Sequence, residues 1–418
     1  MRSLLLVVVL VAIAAACVHA QVLVKPGDKV AIVGDSITEQ RIYSVYIEDY
    51  LLACTPQMKA SVMQFGWSGE QSSGFAARME NDLLPYHPNV VTTCYGMNDG
   101  WYKAYEPVIG ETYEKWMTQI VSRLRDEHIR AILGSPGVVD SDTAFSGNKE
   151  MAATYNDNLA HLRDIDKKLA SDYGMTFANL HDTMMKTMVD AKAVLGPTYH
   201  VAGGDGIHPS ANGQLVMAYT FLKAMGFDGD IGTITIDMKG KASATDGHKV
   251  LSMNGGTVEI ESTRYPFCFY GDDKSPDSNR SILPYVQFNQ DLNRLTLVVK
   301  NLKSAKAQIT WGTVTKEFAR ADLEKGINLA AEFLDNPFSE AFGKVTEAVA
   351  GKQGYETWAI KEMITKFRAL REQVPGNAEI EKDAASIRDA VLAKQATLQE
   401  QARATVTPVK HTITVSAE

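Results

Sequence analysis

The chain has 418 residues, of which 45% are hydrophobic and 22% charged. That length exceeds one ordinary domain of roughly 100–200 residues, so two or three modules are expected, and the composition excludes wholesale disorder. The net charge of −8 comes without any Lys/Arg-rich run, which argues against nucleic acid as a partner.

Arg2, the apolar run Leu4 to Cys17 and then Val18-His19-Ala20 read as a secretory leader: a charged start, an apolar middle and a small-residue end. Cleavage after Ala20 and a secreted or periplasmic location are expected. The apolar run is shorter than the roughly 20 residues that a bilayer span needs. Ala14-Ala15-Ala16-Cys17 leaves open a lipid anchor at Cys17 or a retained helix, and only by one of these would the chain meet a membrane. Beyond residue 20 the cysteines are Cys54, Cys94 and Cys268. Three thiols cannot build a disulfide framework, and no Cys/His spacing fits a zinc site.

Residues 21–228 alternate short apolar runs with helical patterns. The runs Lys29–Val33, Ala60–Phe65, Val90–Tyr95, Ala131–Gly134 and Met175–Leu180 predict strands buried on both faces, as in a parallel sheet. Between them, Met151, Tyr155, Leu159, Leu162, Ile165 and Leu169 form one helical stripe. Leu215, Ala218, Leu222 and Met225 form another, in a helix ended by Gly226. Five strand–helix alternations predict a doubly wound α/β sheet with its ligand at the carboxyl ends of the strands.

The pattern changes after Asp228. Ile231–Met238, Thr257–Thr263, Ile282–Phe288, Leu295–Val299 and Gln308–Trp311 predict strands of an all-β accessory module over residues 229–335. Residues 336–404 read as helical, and 376–404 as a solvated helix or a partner surface. His411–Val415 reads as a strand within 405–418 that would close the β module, making the helical part an insertion.

Four short blocks fall just past strand ends or at the entry of the last helix of the α/β region. Val33-Gly34-Asp35-Ser36-Ile37-Thr38 puts a serine where the first strand yields to a helix carrying Ile42, Tyr46 and Tyr50. Gly66-Trp67-Ser68-Gly69-Glu70 follows the second strand and offers a glycine N–H. Gly96-Met97-Asn98-Asp99-Gly100 follows the third, where an Asn amide can donate to an oxyanion. Asp205-Gly206-Ile207-His208-Pro209 places a carboxylate three residues before an imidazole on one loop. Alone, each block has a plainer explanation as a helix cap or a turn. Four such blocks converging on one end of one sheet point to a serine esterase site. No Gly-x-Ser-x-Gly elbow surrounds Ser36, and Asp205 and His208 share one loop, unlike the α/β-hydrolases.

The order Gly34-Asp35-Ser36, Gly69, Gly96-x-Asn98-Asp99, Asp205-x-x-His208 resembles the SGNH (GDSL) hydrolase family over about residues 28–228, with Ile37 where the family's name-giving motif has Leu. The layout also resembles secreted bacterial members that carry a C-terminal β module. The resemblance implies a three-layer α/β/α fold around a five-stranded parallel sheet of flavodoxin-like type. It implies Ser36 as nucleophile, His208 as base and Asp205 as its orienter. The Ser36 N–H, Gly69 N–H and Asn98 amide are the implied oxyanion donors, with Gly66 a neighbouring alternative to Gly69. The chemistry requires no cofactor and no metal.

Trp67, Trp101, Tyr102 and Tyr105 flank the second and third blocks and offer flat apolar area to a sugar ring or an aryl ester, or else pack as rim and core. The expected partner is an acylated small molecule or polysaccharide, with removal of acetyl groups from carbohydrate as the leading reading. A lipid or aryl esterase of lysophospholipase-like activity is one alternative. A carbohydrate-binding protein with a vestigial site is another. The loop Val139–Lys149, with Asp140, Asp142, Ser146 and Gly147, reads as a surface connection or else as a rim of the site, and His181 and His200 read as structural.

Overall fold

The computed structural model describes residues 22–143, 145 and 149–417. The expected leader, its Ala20 cleavage position and Cys17 lie outside the described residues, as do Ser146 and Gly147. The first half runs β1 (Lys29–Gly34), α1 (Ser36–Glu39), α2 (Tyr43–Asp49), β2 (Ser61–Gln64), α3 (Ser72–Asp82), β3 (Val90–Cys94), α4 (Pro107–Asp126), β4 (Arg130–Gly134), α5 (Lys149–Asp172), β5 (Thr176–Ala178), α6 (Leu180–Leu195) and α7 (Ala211–Ala224). The five strands form one wholly parallel sheet in the order β2-β1-β3-β4-β5. This is the doubly wound flavodoxin-like order, whose direction reverses between β1 and β3. The two strands that lead to Ser36 and Asn98 are therefore neighbours at the switch point. Alternation along each strand feeds two cores: Val30, Ile32 and Val62 face one side, and Ala31, Val33 and Met63 the other.

The second half contains β6 (Asp230–Asp237), β7 (Lys241–Ala244), β8 (His248–Asn254), β9 (Thr257–Ser262), α8 (Phe288–Asp291), β10 (Arg294–Lys300), β11 (Lys306–Trp311), β12 (Val314–Ala319), α9 (Arg320–Lys325), β13 (Ile327–Asn328), α10 (Leu329–Glu332), α11 (Ser339–Trp358), α12 (Thr365–Gln373), α13 (Ala378–Ala404) and β14 (Val409–Ala417). They build two β-rich layers, a mixed sheet β13-β10-β6-β7 and an antiparallel sheet β12-β11-β14-β9-β8. β14 pairs with β11 and β9, so the last strand joins a sheet whose other members precede the helices. One expected strand is absent. Ile282–Phe288 forms a 3-10 turn at Leu283–Tyr285 and the start of α8, because Pro284 has no N–H to give a sheet ladder. The apolar core on one face of the parallel sheet continues without a break into Ile234, Ile260, Leu297 and Trp311.

Helices α11 to α13 cover the exposed edge of β2. Gln399 Oε1 accepts the Val62 N–H at 2.9 Å, while Lys352 Nζ and Gln395 Nε2 donate to the Val62 carbonyl at 2.7 and 3.0 Å. Glu356 Oε2 accepts the Gln64 N–H at 3.1 Å. These side chains thus act as a missing neighbouring strand. The reading of 376–404 as a solvated face is corrected here. The buried stripe of α13 is Ala384, Val391, Gln395, Gln399 and Ala402, whose glutamines look like surface in a sequence.

Lys352 is fully buried between Glu48 and Glu356, at 3.1 and 2.5 Å. Burial works against its charge, but the two carboxylates outweigh that and push the ammonium pKa up. Burial pushes the Glu356 carboxyl up, against the pull of Lys352. Lys352→Met leaves two buried carboxylates without their cation and should destabilise the chain by ~3–5 kcal/mol in urea unfolding; a change below about 1 kcal/mol would show that the cluster is not what holds the helices to the edge.

Candidate active site

Strand β1 ends at Gly34, where an added Cβ would lie 2.1 Å from Thr38 Oγ1 and 2.8 Å from the Cys94 carbonyl. Only glycine lets the chain turn there. Asp35 then caps α1, its Oδ1 accepting the Ile37 N–H at 2.9 Å. Ser36 begins that helix, and no described residue accepts its N–H. The helix is shorter than the sequence pattern predicts. It stops after four residues, Arg41 turns left-handed at φ 58°, and a separate helix carries Tyr46.

Ser36 Oγ lies 2.8 Å from His208 Nε2, and His208 Nδ1 lies 2.6 Å from Asp205 Oδ2. Asp205 accepts at Nδ1, so the proton sits there and Nε2 presents its lone pair to the serine hydroxyl. The other carboxylate oxygen of Asp205 accepts the Ile207 and His208 N–H groups at 2.9 and 2.8 Å. Burial alone would raise the Asp205 pKa, but the His208 and Ile207 hydrogen bonds outweigh it and hold the carboxyl below its ordinary range. The loop is shaped by Gly203, at φ 87°, where a Cβ would meet the His208 carbonyl at 1.7 Å. Gly206, at φ 78°, faces Thr143 and Phe145, and its carbonyl accepts the Asp140 N–H at 2.9 Å. The 139–143 segment, read from sequence as a surface connection, therefore buttresses the histidine loop, with Asp140 fully buried against Lys192.

The second block settles beside Ser36 through its backbone. Trp67 N–H donates to the Gly34 carbonyl at 3.0 Å, and Glu39 of α1 accepts the Ser68 N–H. Gly66 has its N–H bonded to Gln64 Oε1 at 2.8 Å and is crowded by Glu39 backbone. Gly69, at φ 73°, has open space around it, and no described residue accepts its N–H. Of the two glycines, Gly69 is the one with a donor to give. In the third block Asn98 Nδ2 donates to the Glu70 carbonyl at 3.1 Å and reaches Asp35 Oδ2 at 3.4 Å, which holds the amide over the first two blocks.

Glu70 and Asp99 fix loops. Glu70 takes a two-pronged contact from buried Arg78, at 2.7 and 2.8 Å, and Asp99 ties Ser72 to the Gly96 N–H. Burial pushes the Asp99 carboxyl up to about 6. Burial also raises Asp35, against the Ile37 N–H and with help from the charges of Asp99 and Glu70, to about 7.

The four aromatic candidates part company. Tyr102 donates to Asn98 Oδ1 at 3.1 Å and stacks on Tyr155. Trp101 projects outward, 63% exposed. Trp101 and Tyr102 are left-handed, at φ 59° and 54° respectively, a conformation worth roughly 1–2 kcal/mol of strain per residue. Trp67 has Arg78 and Lys361 against its ring, and Tyr105 stacks on His161, which turns it to packing. His181 bonds Asp182 and the Asn156 carbonyl, and His200 folds back on Thr198. Two residues escaped sequence reasoning. Gln214 of α7 accepts the Tyr43 N–H and donates towards the Ile37 and Pro209 carbonyls, bracing the serine helix against the histidine loop. Its one signal is an amide buried in an apolar helix. Arg368 of α12 lines an open cleft together with the second block, and no motif marks it.

Residues 32–216 match the model of the GDSL-like Lipase/Acylhydrolase family. The chain carries a GDSL-like acylhydrolase domain. It is similar to an acetylxylan esterase of Geobacillus stearothermophilus, 25% identical over 48% of this chain and 95% of the relative. It is also similar to an isoamyl acetate-hydrolyzing esterase of Saccharomyces cerevisiae, 28% identical over 47% of this chain and 86% of the relative. Both alignments span about the length of the acylhydrolase domain, and the protein is a carboxylic ester hydrolase. The fold of the whole chain is similar to that of a gut microbial diltiazem-metabolizing enzyme. That match has a TM-score of 0.72 and 23% identity, over 94% of this chain and 98% of that one. The β-rich and helical half of the chain thus has a counterpart of similar fold in a solved structure.

Because the Asp35 carboxyl is raised to about 7, the native state takes up its proton more readily than the unfolded chain. The stability this confers is complete below about pH 4 and is lost as pH rises through about 7. Asp35→Asn keeps an acceptor for Ile37 and removes the charge. Its stability relative to the wild type should rise by up to ~4 kcal/mol between about pH 4 and pH 8; parallel urea melts that keep a constant difference would contradict this.

Proposed function

We propose that the chain removes short acyl groups, acetyl foremost, from carbohydrate through an acyl-enzyme on Ser36. The observation that carries this reading is the line Ser36 Oγ–His208–Asp205, at 2.8 and 2.6 Å. His208 takes the serine proton as Oγ attacks the ester carbonyl, and Asp205 stabilises the imidazolium that forms. The Ser36 and Gly69 N–H groups are free to receive the oxygen that gains charge, and the Asn98 amide joins them by exchanging its 3.4 Å contact with Asp35. His208 then gives its proton to the leaving alcohol, and water, activated by the same base, frees the acid.

Acetyl is favoured because both curated relatives are named for acetate esters. Carbohydrate is favoured by the name of one of them and by Trp101 and Tyr102, which set aromatic faces beside the catalytic loops. Export through the N-terminal leader would bring such an enzyme to polysaccharide. An acetate of a small alcohol is the second reading, supported by the name of the yeast relative.

Purified protein should release acetate from an aryl acetate and from acetylated xylan. Ser36→Ala should abolish both with unchanged far-UV dichroism, and Asn98→Ala should lower kcat by about 10²–10³-fold. Inactivity of the wild type across short-chain aryl esters and acetylated glycans would overturn the proposal.

A further inference from the structure

The turn after β2 and helix α12 enclose a cleft of about 340 Å³, open to solvent. Residues of the Trp67–Gly74 segment line one side of it, and Arg368 from the C-terminal helices lines the other. Three cations on the surrounding elements have carboxylates, Arg78 on Glu70 and Asp82, Lys361 on Glu39 and Arg371 on Glu381, while Arg388 of α13 has none among the described residues. Arg368 has no carboxylate or other acceptor among the described residues, and its Nε is shut off from water as well. A guanidinium held this way lacks the anion that its planar fork fits.

The place of the cleft gives that unpaired guanidinium a meaning. Gly69, whose N–H no described residue accepts, lines the same cleft. So does Gln71, whose amide donates to the Asn98 carbonyl at 2.9 Å. An anion on Arg368 would therefore share its cleft with Gly69, one of the donors proposed for the reacting oxygen, and with Ser68 and Ser73. An unpaired arginine on an open surface is ordinary, but one sharing a cleft with catalytic backbone is placed to read substrate.

We propose that Arg368 binds a carboxylate carried by the ester substrate, so that the C-terminal helices select acidic esters. The proposal rests on ester hydrolysis at Ser36. The carboxylate can belong to the alcohol, as in an acetylated uronic acid, or to the acyl group, as in a half-ester of a dicarboxylic acid.

The test is kcat/KM on two matched pairs: an O-acetylated methyl glucuronoside against the O-acetylated methyl glucoside, and an aryl hemisuccinate against the aryl acetate. Wild type, Arg368→Gln and Arg368→Lys are compared through the ratio within each pair, so that loss of folded protein cancels. The wild type should favour the acidic member of one pair by about 10–100-fold, the range of a charge-assisted two-point contact. Arg368→Gln should bring that ratio close to one, and Arg368→Lys should fall between. The pair that responds tells which side of the ester carries the carboxylate. Hydrolysis of the neutral acetates with no preference, or a preference that survives Arg368→Gln, overturns this inference and leaves the Ser36 reading standing. No hydrolysis of any of the four overturns both.

Discussion

The N–H and C=O of Val62 sit on the open edge of a parallel sheet, and a buried edge cannot leave them unpaired. The chain answers with side chains from 290 to 337 residues further on: Gln399 for the N–H, Lys352 and Gln395 for the carbonyl. Those bonds fix where α11 and α13 lie. Once they are fixed, Lys361 reaches Glu39 on the serine helix at 2.8 Å, and Glu39 in turn accepts the Ser68 N–H of the second block. Burial works against the Glu39 charge, yet Lys361 and Ser68 outweigh it and keep the carboxyl below its ordinary range. The half of the chain without a catalytic motif is thereby attached to the nucleophile through one carboxylate.

The opposite side of the site is held in a similar way. Gln214 joins the serine helix to Pro209, and the Asp140 N–H joins the 139–143 segment to Gly206. Gly203 admits the His208 carbonyl where any side chain would strike it. The Ser36–His208 contact links residues 172 positions apart, and its length is set by these supports more than by the two side chains. The topology contributes as well, since β1 and β3 are neighbours at the switch point and bring Ser36 and Asn98 side by side.

What could be read from sequence follows the same physics. Strands β1 to β5 showed as apolar runs because both of their faces are buried. Strands β7, β8 and β12 did not, because their sequences Lys241–Ala244, His248–Asn254 and Val314–Ala319 are largely exposed and lack such runs. The Ile282–Phe288 run misled because its apolar residues are buried from a turn around Pro284 rather than from a ladder. Ser36, Gly69, Asn98, Asp205 and His208 lie in short local blocks, where residue type and spacing carry the chemistry. Gln214, Lys361 and Arg368 act by position alone, across 170 to 330 residues, and nothing local distinguishes them from surface. The inner face of α13 was hidden for a related reason: its burial is polar.

The central claim is that Ser36 is the nucleophile and His208 the base that activates it. Labelling with an alkyl fluorophosphonate, followed by peptide mapping, tests it directly. A single modification on Ser36 is expected in the wild type, slowed by orders of magnitude in His208→Ala. Modification at another residue, or equal labelling of Ser36 with and without His208, would contradict it.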